Sequence, residues 1–208
     1  MKVLLLIITA VIAYALGGVN GAIIISKYFY RRDIRNYGSG NAGLTNYYRT
    51  FGGLSTLLVI AIDILKTVLA CLLGGWLIGF VGAPVVGKLF AGFCAIMGHM
   101  YPIYYSFRGG KGVLCGVTAA ATIYWPIGLG CFTVFLIVVI FTRYVSLGSM
   151  LGALTFPVLL WAFGYQPLEC VLGLLYSLLI VVKHAENILR LIGGTERRLD
   201  LKSGSSRK

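Results

Sequence analysis

The chain has 208 residues, 59% hydrophobic and only 12% charged, with a mean hydropathy of +0.90; soluble domains carry about 25% charged residues. So few polar side chains cannot cover a water-soluble globule, the apolar content excludes disorder, and collagen-like and disulfide-scaffold classes fail as well, which leaves an all-α polytopic membrane protein. The formal net charge is nevertheless +12, from 18 Lys and Arg against 6 Asp and Glu, and the chain must place it outside the lipid.

A membrane helix needs about 20 apolar residues. Met1-Lys2 and the apolar run behind them have the look of a signal peptide. The run outlasts a normal hydrophobic core and offers no convincing cleavage site, so 3–25 reads as the first span. A polar stretch follows from Ser26 to Gly53. Spans two and three are expected over 54–80 and 85–105. The apolar block from Val113 to Phe141 is too long for one span. Trp125-Pro126 at its centre divides it, since proline disfavours helix continuation and Trp favours the interface; spans four and five are expected over 112–125 and 126–142. Spans six and seven follow over 145–163 and 167–182, and a basic tail fills 183–208. The whole reads as a single integral membrane domain of seven transmembrane helices.

Seven spans put the termini on opposite sides, and the cations then sort cleanly. Fifteen Lys and Arg fall on the side of the tail, Lys2 and Lys88 fall on the other, and Lys66 lies inside span two. The positive-inside rule places the basic side in the cytoplasm and the N-terminus outside. Cys71, Cys94, Cys115, Cys131 and Cys170 are scattered through apolar segments without a CxxC. They read as small buried hydrophobes, and no metal site is expected. Nucleic-acid binding does not suit a chain that lies mostly in lipid.

Three polar segments on the basic side mix glycine, amides and cations. The first is GSGNAGLTNYYRTFGG, Gly38 to Gly53. Its glycines permit close backbone approach, Ser39, Asn41, Thr45 and Asn46 offer neutral hydrogen-bonding groups, and Arg49 offers a forked cation suited to phosphate. Arg31, Arg32 and Arg35 need do no more than set orientation. The second is GHMYPIYYSFRGGKGV, Gly98 to Val113. Here Gly109, Gly110 and Gly112 expose backbone N–H groups, Lys111 adds charge and a helix N-terminus follows, a physical phosphate cradle without Walker A spacing. The third is KHAENILRLIGGTE, Lys183 to Glu196, in which a helix carries His184 and Asn187 on one face, followed by Arg190. Glu186 and Glu196 are expected to pair with cations. Asp63 and Lys66, three residues apart inside span two, read as a structural ion pair. Ser146 and Ser149 begin span six as helix caps or ligand contacts. Together these groups suit small phosphorylated anions, and no carboxylate cluster invites a divalent metal.

In this order, on a small seven-span chain, the segments resemble the three motifs of the bacterial acyl-phosphate:glycerol-3-phosphate acyltransferase (PlsY) family. DILK at Asp63–Lys66 and TRYVSLGS at Thr142–Ser149 add to the likeness, which covers most of the chain. The resemblance implies transfer of an acyl group from acyl phosphate to the 1-hydroxyl of sn-glycerol 3-phosphate. The products are lysophosphatidic acid and phosphate, and the step commits glycerol 3-phosphate to bacterial phospholipid synthesis. It implies no cofactor, no acyl-CoA or acyl carrier protein donor, a plasma (inner) membrane location with the site facing the cytoplasm, and a functional relation to an enzyme that makes acyl phosphate.

Carried over by motif, Ser39, Arg49, Lys111, His184 and Asn187 line the phosphate sites as catalytic residues. Asn41, Thr45, Gly109, Gly110, Gly112, Ser149 and Arg190 bind substrate, and His99, Asp63, Lys66 and Glu196 support them. The general base is left open between His184 and the substrate's own phosphate. The HxxxxD signature of acyl-CoA-type enzymes is absent, since Tyr104 stands at +5 from His99 and Leu189 at +5 from His184. An anion transporter is the alternative, but it calls for polar groups on both faces or at mid-membrane. A scaffold that only binds anionic lipid has no need of glycine-amide clusters.

Overall fold

The computed structural model describes residues 1–199; Lys202, Arg207 and Lys208 of the expected basic tail lie outside the described residues. The fold is all-α. Its helices are α1 (Lys2–Gly18), α2 (Gly21–Tyr30), α3 (Leu44–Thr50), α4 (Ser55–Gly79), α5 (Pro84–Met100), α6 (Val113–Ile123), α7 (Trp125–Thr142), α8 (Val145–Ala162), α9 (Pro167–Lys183) and α10 (Ala185–Ile192), with single 3-10 turns at Ile34–Asn36 and Ile103–Tyr105. Among the described residues four segments are long and apolar enough to cross a bilayer: Lys2–Tyr30, α4, α7 and α8. A fifth results if α9 and α10, bent by 59° at their junction, are taken together. α5 has 17 residues and α6 only 11.

Several boundaries differ from the sequence reading for identifiable reasons. The helix expected over 3–25 is interrupted at Val19–Asn20, and its second part runs on to Tyr30. Asn20 leaves helical geometry and its side chain caps α2 by accepting the Ile23 N–H at 3.0 Å. The span expected to reach residue 105 stops at Met100, because Pro102 cannot continue a helix. The division near Trp125-Pro126 falls where expected: Tyr124 is extended and Pro126 sits in the first turn of α7. The stretch 184–199 is not a free tail. α10 is amphipathic, and the segment behind it folds back so that the Leu199 N–H donates to the Arg143 carbonyl at 2.7 Å.

Small residues set the helix spacing. A methyl group at Gly74 of α4 or Gly87 of α5 would collide with the other helix's backbone, and one at Gly17 of α1 would meet the Ala95 carbonyl of α5. Such close approach is how helices bind each other where lipid removes the hydrophobic drive for association. α7, α8 and α9 pack in sequence order, and α6 packs on α4, α5 and α7. Pro157 interrupts the α8 ladder and frees the Ala153 carbonyl. The Ser177 hydroxyl of α9 takes that carbonyl up at 2.6 Å, which ties the two helices together. The loops at 31–54 and 101–112, the α7–α8 turn and the segment behind α10 gather at one end of the bundle. They are joined there by Arg35 donating to the Tyr105 carbonyl at 2.7 Å and by the Ala42 N–H donating to Gly109.

Below that end lies a buried ion pair with a histidine beside it. Asp63 and Lys66 of α4 pair at 2.7 Å, and the Lys66 ammonium also meets His99 Nδ1 of α5 at 2.9 Å and the Val19 carbonyl at 2.7 Å. The Gly21 N–H donates to Asp63. The pair therefore satisfies the backbone groups that the break between α1 and α2 leaves open. Removing one partner leaves the other charge buried and unpaired. Lys66→Met is expected to destabilise the protein by about 3–5 kcal/mol, and Lys66→Met combined with Asp63→Asn to recover part of that. Thermal unfolding of the purified protein in detergent measures both.

Candidate active site

One cavity of about 690 Å³ opens at the loop-rich end and continues between α6, α7, α8 and α9. Its mouth is polar and cationic. Ser39, Asn41, Thr45 and Arg49 come from the first segment, Lys111 and Gly112 from the second, Ser149 from α8, and His184, Asn187 and Arg190 from the third. Glu196, Asp63 and His99 reach the same lining, whereas Lys66 and Gly110 stand behind it. Arg108, Lys183 and Arg197, to which the sequence reading gave no role in the site, also line the cavity. Only the fold-back after α10 brings Arg197 there, and neither periodicity nor motif spacing signals that return.

Local structure explains how each group is held. Asn46 lines the cavity and staples its own loop: its side chain donates to the Tyr37 and Asn41 carbonyls at 2.9 Å and accepts the Ser39 N–H at 2.9 Å. Gly38 has a left-handed φ of +63° and faces the Asn46 side chain, so no side chain fits there. Arg35 does more than set orientation, since it pairs with Asp33 at 2.7 Å as it bonds Tyr105.

The glycines of the second segment work differently from expectation. The Gly109 and Gly110 N–H groups do not face the mouth; they donate to the Met100 and His99 carbonyls at 3.2 and 3.1 Å. A methyl group on either would strike the His99 residue. These two glycines let the loop lie flat on the end of α5, and the donors left to an anion are those of the α6 N-terminus behind Gly112.

The third segment is organised by Glu196. Its carboxylate accepts from Ser146 Oγ and Asn187 Nδ2 at 2.6 Å and from Arg190 Nε at 2.8 Å. Asn187 Oδ1 accepts from the Lys111 ammonium. A single acid thus connects α8, α10 and the second loop and aims two cations at the mouth. Glu186 pairs more loosely with Arg190 at 3.7 Å. His184, at the bend between α9 and α10, is buried and donates its Nδ1 proton to the Ile180 carbonyl at 2.8 Å, which leaves Nε2 as the lone-pair nitrogen.

Electrostatics match this picture. Burial lowers the Lys111 ammonium, and the nearby Arg190 charge lowers it further. Burial and then the Arg197 charge lower the Arg49 guanidinium. Burial pushes His184 down to about 4, so the ring is neutral at pH 7. Cations that destabilise one another around a cavity are stabilised by an anion entering it. Inward of Ser149 and His184 the lining turns apolar, with Val117 of α6, Phe132 and Phe135 of α7, Ala153 and Phe156 of α8, and Tyr176 and Ile180 of α9. The cavity is therefore shaped for a molecule with a polyanionic head and a hydrocarbon tail.

Known proteins are similar to this chain in sequence and fold. A family model described as glycerol-3-phosphate acyltransferase matches residues 7–194. The glycerol-3-phosphate acyltransferase of Thermoanaerobacter pseudethanolicus is 40% identical over 197 residues, spanning 95% of this chain and 97% of that protein. The one from Finegoldia magna is 40% identical over 205 residues, spanning 96% and 98%. A crystal structure of PlsY (YgiH), described as an integral membrane glycerol 3-phosphate acyltransferase in its glycerol 3-phosphate form, aligns with a TM-score of 0.87 at 30% identity over 97% of this chain and 99% of that one. Its lysophosphatidic acid form aligns with a TM-score of 0.82 at 30% identity, over 94% and 95%.

Burial alone would raise the Glu196 carboxyl, but hydrogen bonds from Ser146, Arg190 and Asn187 outweigh it and hold the group below the usual carboxylate value. Its stabilising effect is then complete above the ordinary carboxylate range and is lost as pH falls through the folded value. Melting temperature should fall more steeply between about pH 6 and pH 3 in the wild type than in Glu196→Gln. Parallel curves for the two proteins would show that the network does not depend on this charge.

Proposed function

The chain belongs to the glycerol-3-phosphate acyltransferase family, and from that premise we propose that it transfers an acyl group from acyl phosphate to the 1-hydroxyl of sn-glycerol 3-phosphate. Lysophosphatidic acid and phosphate are released. The observation that carries this reading is the single cavity that joins a mouth of converging cations to an apolar groove. Glycerol 3-phosphate and the donor's phosphate both call for cations, and only the donor calls for a hydrocarbon channel.

Acyl phosphate is an activated mixed anhydride, so its leaving group departs as phosphate without a covalent acyl-enzyme. The protein's task is to bring two mutually repelling anions together and to stabilise charge as it develops. Arg49, Lys111 and Arg190 supply cations, while Ser39, Asn41, Thr45 and Ser149 supply hydrogen bonds. Gly112 opens α6, whose N-terminal N–H groups suit a phosphate oxygen. Asn187 and Glu196 orient Lys111 and Arg190. In this reading His184 Nε2 receives the glycerol hydroxyl proton, and a bound phosphate beside it raises its basicity. The substrate's own phosphate is the alternative acceptor. Gly109, Gly110, His99, Asp63 and Lys66 hold the loop and helix ends that carry these groups.

In the proposed topology the chain crosses the plasma membrane seven times, with α1 continued by α2 as one crossing and α4 to α9 as the other six. The N-terminus lies outside and the cationic mouth faces the cytoplasm, where acyl phosphate arrives from the enzyme that makes it. The distribution of Lys and Arg supports this sidedness. A membrane-impermeant thiol reagent applied to intact cells should label Lys2→Cys and spare Thr195→Cys; the reverse pattern would invert the topology.

Purified protein given palmitoyl phosphate and labelled glycerol 3-phosphate, without CoA, carrier protein or added metal, should form lysophosphatidic acid. Absence of product sinks the proposal. Arg49→Ala and Lys111→Ala should each lower kcat/KM by roughly 100-fold or more, the size of loss seen when a charge-stabilising donor is removed, with the melting temperature little changed.

A further inference from the structure

The apolar part of the cavity has an end. Phe156 of α8 and Tyr176 of α9 meet edge to face with ring centroids 5.3 Å apart, and both line the cavity while being almost wholly buried. Phe156 lies seven residues beyond Ser149, and Tyr176 eight residues before His184, so the pair sits about 10–12 Å inward of those groups along the helix axes.

The layer is not free to swing aside. The Tyr176 hydroxyl donates to the Leu89 carbonyl at 2.5 Å and fills the space left by the absent side chain of Gly92. Behind Phe156, the fully buried Leu160 packs against Gly173, where a methyl group would collide with it. Ser177, bonded to the carbonyl that Pro157 frees, locks α8 to α9 at the same level. The other two sides are closed by small residues, Ala120 of α6 and Cys131 of α7.

We propose that the Phe156–Tyr176 pair is the end-stop of the acyl groove and determines the longest acyl chain that the enzyme uses efficiently. The proposal rests on the acyl-transfer reading above. A straight chain descending from the mouth gains apolar contact with each methylene until its end meets these rings, and further length must then bend or be expelled. The competing path is lateral. Phe132 lines the cavity yet is 43% exposed, so a chain leaving beside it would pass into lipid and never meet the rings.

The test is kcat/KM for a series of saturated acyl phosphates from hexanoyl to stearoyl. In the wild type the value should rise by about fourfold per methylene and then break where the chain end reaches the rings. Phe156→Ala should move the break to longer chains by at least one two-carbon step. Ala153→Leu, which fills the groove above the rings, should move it to shorter ones. Each shift reads as about a fifteenfold change in the ratio of long-chain to short-chain rates. The ratio is independent of how much folded enzyme is present, and Phe156→Leu asks the same question should the alanine variant fail to fold. Breaks that stay in place in both directions would overturn the end-stop and favour the lateral path. Wild-type protein that makes no lysophosphatidic acid from any chain length would instead overturn the acyl-transfer reading itself.

Discussion

A lysine ammonium buried among membrane helices is the constraint on which the rest of this structure depends. A charge at that depth is expensive, and it persists only where partners surround it. Lys66 has three: the Asp63 carboxylate on its own helix, the His99 ring on α5, and the Val19 carbonyl at the break between α1 and α2. Each contact fixes something different. The first neutralises the charge, the second sets α5 against α4, and the third makes an interrupted helix tolerable in lipid by occupying a freed backbone group. Because the His99 carbonyl receives the Gly110 N–H, the same trio governs where the second loop lies, and Lys111 follows directly from that loop.

The mouth shows the opposite electrostatic condition. Arg49, Lys111, Arg190 and Arg197 converge on one cavity, and among the described residues the acid that bridges this group most closely is Glu196. The Lys66 site is internally balanced and so serves structure. The mouth is left with an excess of positive charge, partly desolvated, which is the basis of the binding role proposed for it. Glu196 limits repulsion enough for the cluster to hold its shape, yet it engages Arg190 and Asn187 and leaves Arg49 and Lys111 to an incoming anion.

Much of this was legible in the sequence, and the limits of that legibility are physical. Helix identity and the division at Trp125-Pro126 follow from apolar length and proline chemistry. The Asp63–Lys66 pair follows from the cost of an intramembrane charge. What the sequence concealed depends on which partner a backbone group chooses. Gly109 and Gly110 look like phosphate donors because glycine exposes its N–H, but the end of α5 claims both groups first. Asn46 looks like a ligand because amides bind anions, but three backbone groups of its own loop surround it. Arg35 looks like a topology charge because arginines cluster there, but Asp33 and the Tyr105 carbonyl recruit it to join two loops. In each case residue type and spacing identify the chemistry available, and only the fold decides whether it is spent internally.

The same division orders the net charge of +12. Cations on the basic side that do not line the cavity, such as Arg31 and Arg32, are the ones that the proposed topology leaves to orientation. Cations drawn into the cavity act on what enters it. The two sets lie at the same end of the bundle because both need water nearby, and this is also where helix ends leave N–H groups without partners. An anion at that end meets charge, helix termini and the entrance of an apolar groove within one layer. In the proposed reaction a hydrocarbon chain attached to the anion runs inward between α6 and α9 while its head stays at the mouth. Retention of the head and burial of the tail are therefore consequences of one placement: a cationic mouth set directly above a gap between helices.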